Sequence, residues 1–215
     1  MILNRSVHTV CCAAALLMMT MIGLPGTAAA QDRMPPIPAE RLTEAQKKAV
    51  EEFKAARGSD VSGPFIPLLR SPEVMTRARA MGDYLRFKSA LPPKLSELVI
   101  LISARHWTQR YEWAAHAPIA LAAGVDPEVV KAIAEGRRPD HLGEDEQTLH
   151  DFCAELFDHQ SVSDATYARM LSRFGEQGVI DTIGIMGYYS MLAMVLNVSR
   201  TPPGASAPAL RLFPQ

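Results

Sequence analysis

From Glu97 to His116 the chain reads E-LVILISARHW-T-Q-RY-E-WAA-H. An unbroken LVILI run, apolar on every side, belongs to an element buried all round. The segment after it mixes titratable and aromatic side chains with small alanines. Elsewhere the apolar positions recur with the helical period. Ala49, Val50, Phe53 and Ala56 form one stripe, opened by a T-E-A-Q capping box at Thr43 and stopped by Gly58. Ser71-Pro72-Glu73 starts a second helix that is expected to run to Pro92, with Val74, Ala78, Met81, Leu85 and Phe87 or Ala90 inward. Asp126-Pro127-Glu128 opens a third, VVKAIAEG, closed by Gly136. Leu149, Phe152, Cys153, Leu156 and Phe157 mark the apolar side of residues 145–160, and Ser163-Asp164 caps ATYARMLSRFG. The last segment, GVIDTIGIMGYYSMLAMVLNVSR, is weakly charged and reads as a buried central helix. The apolar loop 59–70 is expected to tuck under the core or an interface. No alternating strand pattern of useful length competes, so the fold class is all-α, with about seven to eight helices joined by short capped turns.

Composition narrows the function classes. A formal net charge of −1 offers no electrostatic reason to bind nucleic acid. Arg5, the apolar run VCCAAALLMMTMIGL and PGTAAAQD make a leader over residues 1–30, with cleavage expected between Ala30 and Gln31. That predicts a periplasmic or secreted protein without stable membrane insertion after cleavage. Of the three cysteines only Cys153 lies beyond the leader, so no internal disulfide is available. Residues 31–42, with three prolines in four positions, form a proline-rich arm; 43–200 is the helical domain; 201–215 is a proline-rich tail.

Chemistry concentrates in the central stretch. Thr108 is expected to cap a new helix beginning at Gln109, turning the chain so that the Glu97 helix lies beside the next one. Gln109, Glu112 and His116 then share a stripe, and a carboxylate and an imidazole four apart can share a proton. The competing reading is a solvated Glu–His pair, with Glu97 as a first-turn acid facing the helix dipole. Glu112 and His116 also have metal-ligand spacing, with His106 or Glu97 as a third donor. Two ligands four apart fall short of a fuller helical metal motif, and no metal is assigned.

The pattern E-x11-Q-x2-E-x3-H, followed by P-I-A-L-A-A-G-V-D-P-E, resembles the carboxymuconolactone decarboxylase family, which includes the alkylhydroperoxidase D-like proteins. The likeness spans most of residues 60–200 in helix order and is most specific over 94–136. It implies an alkylhydroperoxidase D-like helical bundle assembled as a trimer or hexamer. In the peroxidase branch two cysteines fall where this chain has Gln109 and Glu112, and the acid and base fall on Glu97 and His116. The decarboxylase branch does without that cysteine pair. Resemblance to it implies a cofactor-independent lyase or isomerase acting on a small carboxylated lactone or keto acid. His116 would move the proton, with Glu112 or Glu97 setting its protonation, while Tyr111, His106 or Arg105 would bind the anion. Gln109 and Tyr188 would line the substrate pocket, as would Tyr189. Export places the substrate outside the cytoplasm, so another small acidic or carbonyl compound is expected rather than the family's namesake. Two further readings stay open: an antioxidant peroxidase relying on Cys153, and a non-catalytic small-molecule binder.

Overall fold

The computed structural model describes residues 31–203 and Leu210. The expected leader and most of the tail lie outside them. Among the described residues the elements are a short 3-10 turn at Ala39–Arg41 and the helices α1 (Glu44–Arg57), α2 (Phe65–Leu68), α3 (Pro72–Phe87), α4 (Pro93–His106), α5 (Arg110–Ala122), α6 (Pro127–Ala134), α7 (Glu144–His159) and α8 (Asp164–Ser199). The fold is all-α, as the periodicity requires.

Helix α4 is the axis of the bundle and packs against α5, α6, α7 and α8. Its circumference is divided between two apolar clusters. Leu95, Val99 and Ile100 join α1, α3, α7 and α8 on one side. Leu98, Leu101 and Ala104 join α5 and α6 on the other. This is why LVILI carries no polar face: each fully buried aliphatic side chain contributes roughly 2 kcal/mol, and no direction around the helix meets water.

The caps form where the sequence places them. The Thr43 and Gln46 side chains satisfy each other's backbone N–H groups, Asp126 accepts from the Glu128 N–H, and Ser163 accepts from the Thr166 N–H. Ser71 occupies the cap position of α3 without making a side-chain bond. The apolar loop packs inward as expected, its centre forming α2 with Phe65, Leu68 and Leu69 buried. The two helices expected after Ser163 form one element interrupted at Gly175, whose φ of 65° and ψ of 178° suit glycine alone.

Helix α3 departs from expectation in two ways. It ends at Phe87 rather than near Pro92, because buried Asp181 of α8 accepts the Ala90 N–H at 2.8 Å and the Tyr84 hydroxyl at 3.2 Å, holding the following turn. Its inward face is Met75, Ala78, Gly82 and Leu85, while Val74, Met81 and Phe87 are exposed, Phe87 by 69%. In α1 likewise, Ala56 is exposed although the stripe pointed it inward. The rotation of α3 follows from Gly82: a Cβ there would lie 2.2 Å from the Tyr188 hydroxyl. A pattern that counts apolar side chains passes over the position where the helix approaches its neighbour most closely. Gly82→Ala should therefore destabilise the protein by about 2 kcal/mol, read as a lower chemical-denaturation midpoint; an unchanged midpoint would mean that this contact relaxes freely.

Candidate active site

The link between α4 and α5 builds the site. Thr108, expected as the cap, instead takes a left-handed φ of 47° and makes the turn. Gln109 is the cap: its Oε1 accepts the Tyr111 N–H at 2.6 Å, and its Nε2 donates to Asn197 Oδ1 at 2.7 Å. With Thr108 spent on the turn and Gln109 as cap, the helix begins at Arg110. The turn lays α5 back along α4 and brings together side chains 19 residues apart. His116 Nδ1 and Glu97 Oε2 are 2.7 Å apart, and both residues are buried. The Glu97 carboxylate accepts, so Nδ1 donates and Nε2 is left to face Glu112, whose Oε2 lies 3.7 Å away. That separation is too long for a hydrogen bond. Thus Glu97 faces inward rather than serving as a solvated first-turn acid, and the Glu112–His116 pair is buried rather than on a wet face.

Glu112 is the most perturbed member. Burial pushes its carboxyl from the ordinary 4.5 up to about 7, against the pull of His116 and Arg86 and with some help from the Glu97 charge. Its Oε1 is buried without a hydrogen-bond partner, as is the Nε of Arg86. Arg86 reaches Glu97 only at 3.9 Å.

Both side chains line a cavity of about 140 Å³. Its wall is made by Tyr111, Glu112, Ala115 and His116 of α5, Tyr188, Tyr189 and Leu192 of α8, Arg57 of α1, Arg86 of α3, and Ser62 to Phe65. Larger hollows of about 570 and 550 Å³ run along α7 and α8 but contain none of this chemistry. The Tyr189 ring stands edge-on to His116 at 5.0 Å between centroids, restricting the imidazole's rotation. Burial pushes the Tyr188 hydroxyl up to about 12 and that of Tyr189 well above 10, so both stay protonated at neutral pH. Arg57 is held to Asp83 by bonds of 2.8 and 3.0 Å, with its guanidinium over the Phe65 ring.

Of the residues singled out in the sequence, His116, Glu112, Tyr111 and Tyr188 line this cavity. Glu97 stands behind His116. Gln109 serves as the cap and does not line the cavity. Arg105 and His106 are corrected: they line a separate hollow of about 220 Å³ with Phe157 and Asp158, where His106 stacks on Phe157 at 4.0 Å. They lie eight and nine residues beyond Glu97 on the same helix, about 12 Å along its axis, which is too far to share the pocket. Nothing near Arg57 or Arg86 in the sequence ties them to the motif, because they come from helices far upstream. The usable signal was Arg86 four residues after Gly82, a cation beside an inward-facing small residue. Cys153 is fully buried in α7, where burial pushes its thiol far above the usual range, and it does not line the cavity. Among the described residues no group of three His, Cys, Asp or Glu side chains is arranged to hold a metal ion.

Residues 72–150 match the carboxymuconolactone decarboxylase family. The chain carries a carboxymuconolactone decarboxylase-like fold. It is similar to the alkylhydroperoxidase AhpD core of an uncharacterized peroxidase-related protein from Ralstonia eutropha JMP134, with a TM-score of 0.65 at 17% identity over 80% of this chain and 92% of that one. An uncharacterized peroxidase-related protein from Silicibacter sp. TM1040 superposes with a TM-score of 0.65 at 16% identity, covering 84% of this chain and 96% of that one. A form of the debrominase Bmp8 in complex with 2,3,4-tribromopyrrole gives 0.61 at 13% identity, covering 83% and 95%. No curated protein matches the chain. At these identities the likeness establishes the alkylhydroperoxidase D-like helical fold.

Proposed function

We propose that this carboxymuconolactone decarboxylase-like protein is a cofactor-independent lyase or isomerase that moves a proton on a small carboxylated lactone or keto acid. The observation carrying this reading is the buried Glu97–His116–Glu112 line ending on a cavity that also holds two arginines. In a decarboxylation the bond from ring carbon to carboxylate breaks, carbon dioxide leaves, and the electron pair passes into a dienolate. A proton from the Glu112 carboxyl, delivered directly or relayed through His116 Nε2, then forms the new C–H bond. In an isomerisation the same groups remove a proton from one carbon and return it to another. Glu97 orients the imidazole, while Arg57 and Arg86 offset the negative charge as it shifts. A volume of about 140 Å³ favours a small substrate over the larger ligands that fill typical pockets of roughly 300 Å³ or more. Incubating the protein with a panel of small carboxylated lactones and 2-oxo acids, scored for carbon dioxide release and for isomerised product, tests the proposal; uniform inertness would turn it toward a binding protein.

The peroxidase reading receives no support from the cavity, which lacks a thiol. Cys153→Ser should leave hydroperoxide consumption unchanged; a clear fall would reinstate that reading. Export rests on the leader. Self-association is favoured by the exposure of Phe87 (69%) and Ile180 (65%) on the adjacent helices α3 and α8.

A further inference from the structure

We propose that the cavity is a receptor for a small organic monoanion whose binding takes up one proton, with Arg86 pairing the anion and Glu112 carrying the proton. Two buried polar atoms without partners, Arg86 Nε and Glu112 Oε1, belong to side chains lining one cavity. An unmade hydrogen bond in such a place is costly, so a ligand that completes both is favoured. Arg86 Nε–H can only donate, and it calls for an oxyanion. The other cation of the wall, Arg57, is engaged by Asp83, whereas Arg86 lies over the Phe87 ring and reaches one carboxylate, Glu97, only at 3.9 Å, the other oxygen of which is bonded to His116.

Glu112 decides the proton count. Ionised, its Oε1 is an acceptor and a negative charge beside the incoming anion, which repels it. Protonated, it is a donor that can satisfy the same anion from the other side. The groups facing it are Arg86 from α3, Glu97 from α4, His116 and Tyr111 on α5, Tyr188 and Tyr189 from α8, and Arg57 from α1. The tyrosines remain protonated through the neutral range. Near neutrality, burial already holds Glu112 close to half protonation, so an anion draws the proton on with it. The inference shares with the proposed reaction the premise that this cavity binds a ligand, and it does not depend on turnover.

Isothermal titration calorimetry of the protein with acetate tests it, in HEPES and Tris, whose ionisation heats differ. Acetate stays ionised throughout the range used. The dissociation constant should rise about tenfold between pH 6 and pH 8, with about one proton taken up per acetate at pH 8. Glu112→Gln should bind equally at both pH values. Arg86→Gln should weaken binding at pH 6 by about tenfold or more; if it does not fold, Arg86→Lys, which lacks the Nε–H, replaces it and should also bind more weakly. Binding of acetate without proton uptake overturns the inference. So does a pH dependence that survives in Glu112→Gln, which would put the proton on His116, and so does absence of saturable binding at any pH. If acetate binds without proton uptake while panel compounds are turned over, this inference fails and the proposed reaction stands. Proton-linked binding with an inert panel gives the converse.

Discussion

Replacing His116 with glutamine should lower kcat by about 10² to 10⁴ on any compound the protein turns over, with a much smaller change in KM. The imidazole is the group placed between the cavity and a fixed carboxylate: Nδ1 is held by Glu97 at 2.7 Å, and Nε2 faces Glu112 at 3.7 Å. An amide can replace the donor toward Glu97 but cannot carry a proton. Alanine would be the wrong substitution. It would leave the buried Glu97 carboxylate without its hydrogen-bond partner, and removing one member of a buried pair costs several kcal/mol. A loss of activity in the alanine variant would then report unfolding as readily as chemistry. The glutamine variant should melt close to the parent while losing turnover. Retained turnover would remove His116 from the proton path.

Glu112→Gln should change how stability depends on pH. A carboxyl raised from 4.5 to about 7 is bound to its proton more tightly in the folded chain than in the unfolded one. Unfolding then releases a proton between those values, so this group's contribution makes stability fall as pH rises through the interval, and the full penalty is present above pH 7. At about 1.4 kcal/mol for each tenfold, the penalty is about 3 kcal/mol. His106 and His150 act in the opposite sense. Burial lowers both, so their contribution to stability grows as pH rises toward the ordinary imidazole value of 6.5. The parent's curve alone can therefore look flat. The difference between parent and Glu112→Gln isolates the carboxyl: the variant's stability relative to the parent should rise by about 3 kcal/mol from pH 4.5 to above pH 7. Chemical denaturation across that range measures it, and parallel curves would mean that Glu112 is ionised normally in the fold.

The sequence exposes local rules more readily than contacts between distant elements. The LVILI run announced a helix buried on every side, and α4 is divided between two apolar clusters. Caps at Thr43, Asp126 and Ser163 are set by bonds within a few residues, so composition is enough to place them. The α4–α5 turn is legible in outline, and it places Glu97 beside His116 although 19 residues separate them. Its detail was not legible: the left-handed geometry of Thr108 and the reach of the Gln109 amide to Asn197 depend on α8 being in place. The face of α3 is not legible in the apolar pattern because its approach to Tyr188 is made by a glycine. Arg57 and Arg86 carry no local signature, since only the packing of α1 on α3, and of α3 on α4 and α8, brings them to the cavity. Arg105 and His106 lie close to the motif in sequence, yet helical rise carries them about 12 Å along α4 to a separate hollow.

On the proposed reading this cavity moves protons on carbon through His116. Incubation of the lactone and 2-oxo acid panel in D₂O, followed by mass spectrometry, measures that step even where no net product accumulates. The parent should place deuterium on carbon in at least one compound, and His116→Gln should slow that incorporation by about 10² or more. Equal incorporation by parent and variant, both above the protein-free control, would take His116 off the proton path.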